Sequence, residues 1–87
     1  MRSVKKENHV IVDGRSCQLT PLEYEVFQLL KLNQGDTLSR DLLLKEVWGY
    51  LSEADTRSVD MCVKRLRTKI GSERIRTVYG KGYMLTT

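Results

Sequence analysis

Apolar residues run through this chain in two rhythms. Between Leu22 and Ile70 they recur three and four positions apart, the spacing of a helix face, while both ends carry short β-prone runs broken by glycine. Thr20-Pro21-Leu22-Glu23 stacks the signals that start a helix: Thr20 as N-cap, Pro21 at the first helical position and Glu23 placed to bond back to the cap. Leu19 and Tyr24 add a hydrophobic staple across that cap. Leu22, Val26, Leu29 and Leu30 carry the helical spacing and Asn33-Gln34-Gly35 offers a stop, so a first helix is predicted over 21–33. Ser39 caps a shorter second helix with Leu43, Leu44, Val47 and Trp48 on its buried side, Leu38 and Leu43 as its staple, and Gly49 as its end. A third helix is predicted over 57–70, where Val59, Val63, Leu66 and Ile70 form one narrow stripe.

The ends read as hairpins. Residues 9–12 and 15–19 flank Asp13-Gly14, a dipeptide that suits a two-residue turn with positive backbone angles. Residues 75–79 and 83–86 are joined through Gly80-Lys81-Gly82. The class is therefore α+β: an N-terminal antiparallel sheet over 1–19, a three-helix core over 20–70 and a C-terminal hairpin over 71–87, all within one domain. A chain of 87 residues supports one modest core and leaves no room for a second lobe around a substrate cleft.

Charge changes the picture. The net +4 is unevenly spread: residues 1–55 hold seven Lys/Arg against nine Asp/Glu, and residues 56–87 hold eight against two. At 100° per residue, Arg57, Met61, Lys64 and Thr68 fall opposite the apolar stripe of the third helix, with Arg65 beside them and Arg67 and Lys69 on the flanks. A helix with a core face and a cationic face fits the major groove of DNA, where Arg and Lys donate to guanine or to phosphate. A solvated helix face would interleave both signs, and Asp60 is the only acid in this helix. A basic hairpin beside such a helix is a wing that can follow the backbone or enter the minor groove.

Other chemistries find little support. Cys17 and Cys62 lack metal or redox spacing and read as free thiols, and His9 is the only histidine. Ser39 and Ser58 have no partner base, so they are caps or contacts. Asp60 stands near the start of its helix, where it favours the dipole and can pair with basic neighbours. Gly80-Lys81-Gly82 lacks the spacing of a nucleotide loop and joins two strands. No catalytic residue, metal or cofactor is expected. The first residues lack the apolar core of a signal peptide and no stretch has the length of a membrane span, so a cytoplasmic location is expected, without membrane contact.

The chain resembles the C-terminal effector domain of OmpR/PhoB-family response regulators of two-component systems, from about Val10 to Leu85. The resemblance rests on Leu19-Thr20-Pro21 with Glu23-Tyr24; Leu38-Ser39-Arg40 with Leu42-Leu43; Val47-Trp48-Gly49; Thr56-Arg57-Ser58-Val59-Asp60; Val63-Lys64-Arg65-Leu66-Arg67; and Ile75-Arg76-Thr77-Val78 with Gly80, Gly82 and Tyr83. It implies a winged helix-turn-helix that binds double-stranded DNA through Arg57, Ser58, Met61, Lys64, Arg65, Arg67 and Thr68 on the helix and Thr77, Tyr79, Lys81 and Tyr83 on the wing. It also implies that the segment 49–55, with Gly49, Tyr50, Glu53 and Asp55, touches RNA polymerase, and that pairs of domains line up on repeated DNA half-sites while associating weakly alone. Two positions depart from the family pattern: Cys62 stands where a polar residue such as His is frequent, and Tyr79 where many members place a wing Arg. The family's receiver domain, which precedes this module, is not within the 87 residues; on the sequence alone the chain is either an excised domain or a regulator without that switch. The competing reading is a winged helix serving as a protein-interaction module.

Overall fold

The computed structural model describes residues 8–50 and 53–86. β1 (His9–Val12) and β2 (Arg15–Gln18) form the expected antiparallel hairpin, with Val10 opposite Cys17 and Val12 opposite Arg15. The turn works because Asp13 and Gly14 both take positive φ, 53° and 77°, which matches the twist of the strands. α1 (Pro21–Leu32) starts on the predicted capping box: the Glu23 amide donates to Thr20 Oγ1 and the Thr20 amide donates to Glu23 Oε1 at 3.0 Å. Asn33 caps the other end, one residue short of the prediction.

The two-residue strand β3 (Leu38–Ser39) was absent from the pattern reading. It pairs antiparallel with β5 (Gly82–Leu85), which in turn pairs with β4 (Ile75–Val78), giving the sheet order β3-β5-β4. Two residues carry no periodicity, so only the partner strand makes them β. Ser39 then caps α2 (Arg40–Leu43), its hydroxyl accepting from the Leu42 amide at 3.0 Å. The second helix does not continue as an α-helix: Leu44–Trp48 widen into a π-helical turn that ends at Gly49, whose φ is 96°. α3 (Thr56–Ile70) begins one residue before the prediction, with the Asp55 carboxylate accepting from the Arg57 amide. A short 3₁₀ turn, Ser72–Arg74, leads into the wing.

The first wing strand is one residue shorter than expected and the second starts one residue earlier. The turn takes up Tyr79, Gly80 and Lys81, with the Lys81 amide donating to the Val78 carbonyl at 2.9 Å, and β5 starts at Gly82. Gly82 has to be glycine: a Cβ there would lie 2.0 Å from the Leu38 carbonyl oxygen of β3.

Val26, Leu30, Leu43, Val59, Val63 and Leu66 are fully buried where the helices meet, and Ile75 and Leu85 close the core from the sheet. The α3 stripe is thus core, as expected. Leu22 is corrected: it is 41% exposed, while Phe27, five residues on, is buried. Cys62 also joins the core.

Candidate nucleic-acid interface

The side of α3 turned from the core presents Arg57, Met61, Lys64, Arg65 and Thr68, all exposed. Three cations therefore lie along a little over two helical turns with no acid among them. The Thr68 hydroxyl donates to the Lys64 carbonyl at 3.1 Å, leaving its oxygen lone pairs as acceptors. Met61, 54% exposed, puts an apolar contact in the middle of the strip.

The two flanks differ. On the side toward α1, Ser58, Met61 and Arg65 share a cleft with Thr20, Leu22 and Trp48, so exposed Leu22 borders the cationic strip, and Trp48 lines the same cleft while packing against the core. Glu23 lies at the back of this cleft, 2% exposed, accepting from Lys69 Nζ at 2.7 Å. Burial works against its charge, but the bonds from Lys69 and Thr20 outweigh it and hold the carboxyl below the ordinary glutamate range. Burial pushes the neighbouring Cys62 thiol up to about 11, so it stays protonated and apolar in role.

On the other flank α3 meets the wing, and three of the expected DNA contacts turn out to be engaged internally. The Arg67 guanidinium donates from Nε and Nη2 to the Ile75 carbonyl, and Nη2 also reaches Thr77 Oγ1 at 2.7 Å. It lies 5.5 Å from the centre of the Tyr83 ring. Tyr83 is 8% exposed, and its hydroxyl donates to Asp60 Oδ1 at 2.6 Å. Arg67, Thr77 and Tyr83 therefore tie the wing to α3 in this structure. Sequence spacing puts Arg67 on the flank of a helix; it cannot show that a strand carbonyl lies within its reach. At the wing tip Lys81 is exposed and Tyr79 is 90% exposed.

Arg40 is the residue that sequence reasoning missed. From the first turn of α2 it grips Asp60 with a two-pronged contact, Nε to Oδ1 at 3.0 Å and Nη2 to Oδ2 at 2.6 Å. Burial opposes the charge on Asp60, yet Arg40 and Tyr83 together keep its carboxyl below the ordinary aspartate range. The acid thus pairs with α2 and β5 instead of with basic neighbours on its own helix. The pairing of Leu38-Ser39-Arg40 with Thr56-Arg57-Ser58-Val59-Asp60 was visible only as two motifs.

Of the segment expected to meet RNA polymerase, residues 51 and 52 lie outside the described residues. Tyr50 is 80% exposed with Lys45 Nζ 5.7 Å from its ring centre, and Glu53 is exposed. Gly49 ends the π turn and Asp55 caps α3, its carboxylate 3.6 Å from the Arg57 guanidinium. Among the described residues no group of three or more His, Cys, Asp or Glu side chains could hold a metal ion, and no helix is long and apolar enough to cross a membrane.

Comparison with known proteins bears on this geometry. Residues 14–85 match the family profile described as "Transcriptional regulatory protein, C terminal". The transcriptional regulatory protein CseB of Streptomyces coelicolor is 51% identical over 72 residues, covering 83% of this chain and 31% of its own length. The chain thus spans about a third of that relative. Among solved structures, the DNA-binding domain of Bacillus subtilis CssR superposes with a TM-score of 0.82 at 31% identity, covering 98% of both chains. The Klebsiella pneumoniae RstA DNA-binding domain, solved in complex with the RstA box, gives 0.79 at 30% identity over 92% of this chain and 84% of its own.

Proposed function

The chain belongs to the family of C-terminal, DNA-binding domains of transcriptional regulatory proteins of the OmpR/PhoB response-regulator type, and from that premise we propose how it binds its DNA. α3 enters the major groove with Arg57, Lys64 and Arg65 as donors to bases and phosphates, and with Met61 and Thr68 against base edges. Ser58 and Trp48 border a phosphate on the α1 flank. Lys81 gives the wing tip its electrostatic contact, and Tyr79 offers a ring and a hydroxyl to the neighbouring groove.

One observation carries this reading. The exposed strip of α3 carries Arg57, Lys64 and Arg65 and no acid because the helix's single acid, Asp60, is drawn to the flank and bonded by Arg40 and Tyr83. A polyanion approaching the strip meets three positive side chains, with Asp60 bonded on the flank and Asp55 at the N-cap beside Arg57.

The acidic segment with Glu53 supports the finer proposal that it stays clear of DNA and is available to RNA polymerase, while Asp55 has a local role in capping α3. We further assign the whole chain to one winged-helix domain, acting in the cytoplasm and binding as pairs on DNA half-sites one helical turn apart.

Titration of the chain with a duplex operator over a range of salt tests the central claim. If roughly five phosphate contacts form, the slope of log K against log salt is about −4 to −5. A flat response would return the domain to the protein-interaction reading. Selection from random DNA then separates specific from general binding: a recovered repeated motif supports the assignment, and uniform recovery reduces it to general affinity.

A further inference from the structure

The wing's root is held on two sides. Along one edge, β5 is hydrogen-bonded to β3, with Tyr83 opposite Leu38 and Gly82 packed so close that no Cβ fits. Toward α3, among the described residues, side chains and not backbone pairing make the connection. Tyr83 donates to Asp60 at 2.6 Å, Asp60 is fixed by the two prongs of Arg40, and Arg67 spans from α3 to the Ile75 carbonyl and the Thr77 hydroxyl. The Tyr83 ring and the Arg67 guanidinium lie against each other, so the bonds form one continuous network from α2 through α3 to both wing strands.

The geometry points to Tyr83 and Asp60 as positioning residues for DNA recognition: their bond sets the angle of the wing on α3, and hence whether the tip reaches its phosphate. This rests on the reading that the wing touches DNA. The tip lies four to five residues from the base of the hairpin, about 15 Å at the rise of an extended strand. A tilt of roughly 10° at the root would carry the tip about 2.5 Å, enough to turn a hydrogen bond to phosphate into no bond at all. The contact is suited to persist over the ordinary pH range. Burial and the bond to Asp60 push the Tyr83 hydroxyl up to about 12, so it keeps its proton, while Arg40 and Tyr83 keep Asp60 ionised to accept it.

Tyr83→Phe deletes the hydroxyl and leaves the ring on Arg67. The test reads two things in the 87-residue chain: amide hydrogen exchange along the wing, and affinity for a selected operator, with Lys81→Ala made in both backgrounds. The wing amides of Tyr83→Phe are expected to exchange several-fold faster while those of α3 do not change. Its affinity for DNA falls about threefold to tenfold, the span of one net hydrogen bond. Lys81→Ala flattens the salt slope by about one unit in the parent and by less than half of that beside Tyr83→Phe. Unchanged exchange together with additive effects on binding would overturn the assignment. If Lys81→Ala is silent in the parent, the wing-to-DNA reading fails, and exchange alone still decides whether the hydroxyl holds the wing. Should Tyr83→Phe fold poorly, Arg40→Lys keeps the charge, removes the two-pronged grip and is read by the same two measurements.

Discussion

Glu23 is the buried charge on which the body of the domain depends most, and removing it has a calculable outcome. Its Oε1 accepts from the Thr20 amide at the start of α1 and from Lys69 Nζ near the end of α3. The cap bond accounts for about 1 kcal/mol. Lys69 is 36% exposed, so its ion pair is partly screened and adds about 0.5 to 1 kcal/mol. Glu23→Ala should therefore cost about 2 kcal/mol, which lowers the melting temperature of a domain this size by about 8 to 16 °C. Glu23→Gln keeps an acceptor for the Thr20 amide and should cost less than half of that. Acid provides a second check. The folded-state pKa of Glu23 is depressed, so its contribution is complete above the unfolded value of about 4.3 and is lost as pH falls through the folded value. The gap in stability between parent and Glu23→Gln should close as the pH drops below about 4.3. Thermal melts from neutral to acid pH measure both effects. A Glu23→Ala melt within 2 °C of the parent, or a parent-to-Gln gap that widens in acid, would refute the reasoning.

Four further outcomes bear on DNA binding. Lys64→Ala or Arg65→Ala should weaken operator binding by about 1 to 3 kcal/mol and relax preference at one position if the residue reads a base; uniform weakening across sequences, measured by competition, assigns it to phosphate. Leu66→Ala should instead lose binding through about 2 to 5 kcal/mol of destabilisation visible in a melt, because Leu66 is fully buried. Tyr79→Arg places a cation at the exposed wing tip and should raise affinity with a new preference for A-tract flanks, seen by comparing A-tract and mixed-flank operators at one salt concentration. Glu53→Lys should spare DNA affinity while altering activated transcription in a reconstituted assay, and a strong loss of affinity without unfolding would place that loop at the DNA.

The network around Asp60 explains how α3 keeps a carboxylate without placing it on its exposed cationic strip. An unpaired carboxylate on the strip would repel phosphate. Bonded to Arg40 and Tyr83 on the flank, it becomes a fixed acceptor that joins α2, α3 and β5. Arg67 is the complementary case: a cation drawn away from solvent by a strand carbonyl and a threonine hydroxyl.

Local features were legible wherever the physics is local. The capping box at Thr20, the positive-φ turn at Asp13-Gly14 and the buried stripe Val59, Val63, Leu66 and Ile70 each depend on residues within about a turn of one another, so their spacing determined them and the cationic strip opposite. Tertiary structure alone decided the rest. β3 exists because β5 lies beside it, and Gly82 is required because β5 comes within one missing Cβ of the Leu38 carbonyl. The π turn at Leu44–Trp48 has no sequence signature of its own. Leu22 is exposed and Phe27 buried because a helix face is selected by what packs on it, and Arg67, Thr77 and Tyr83 are bonded between α3 and the wing for the same reason. Long polar side chains choose among partners within several ångströms, and only the fold determines which partners those are.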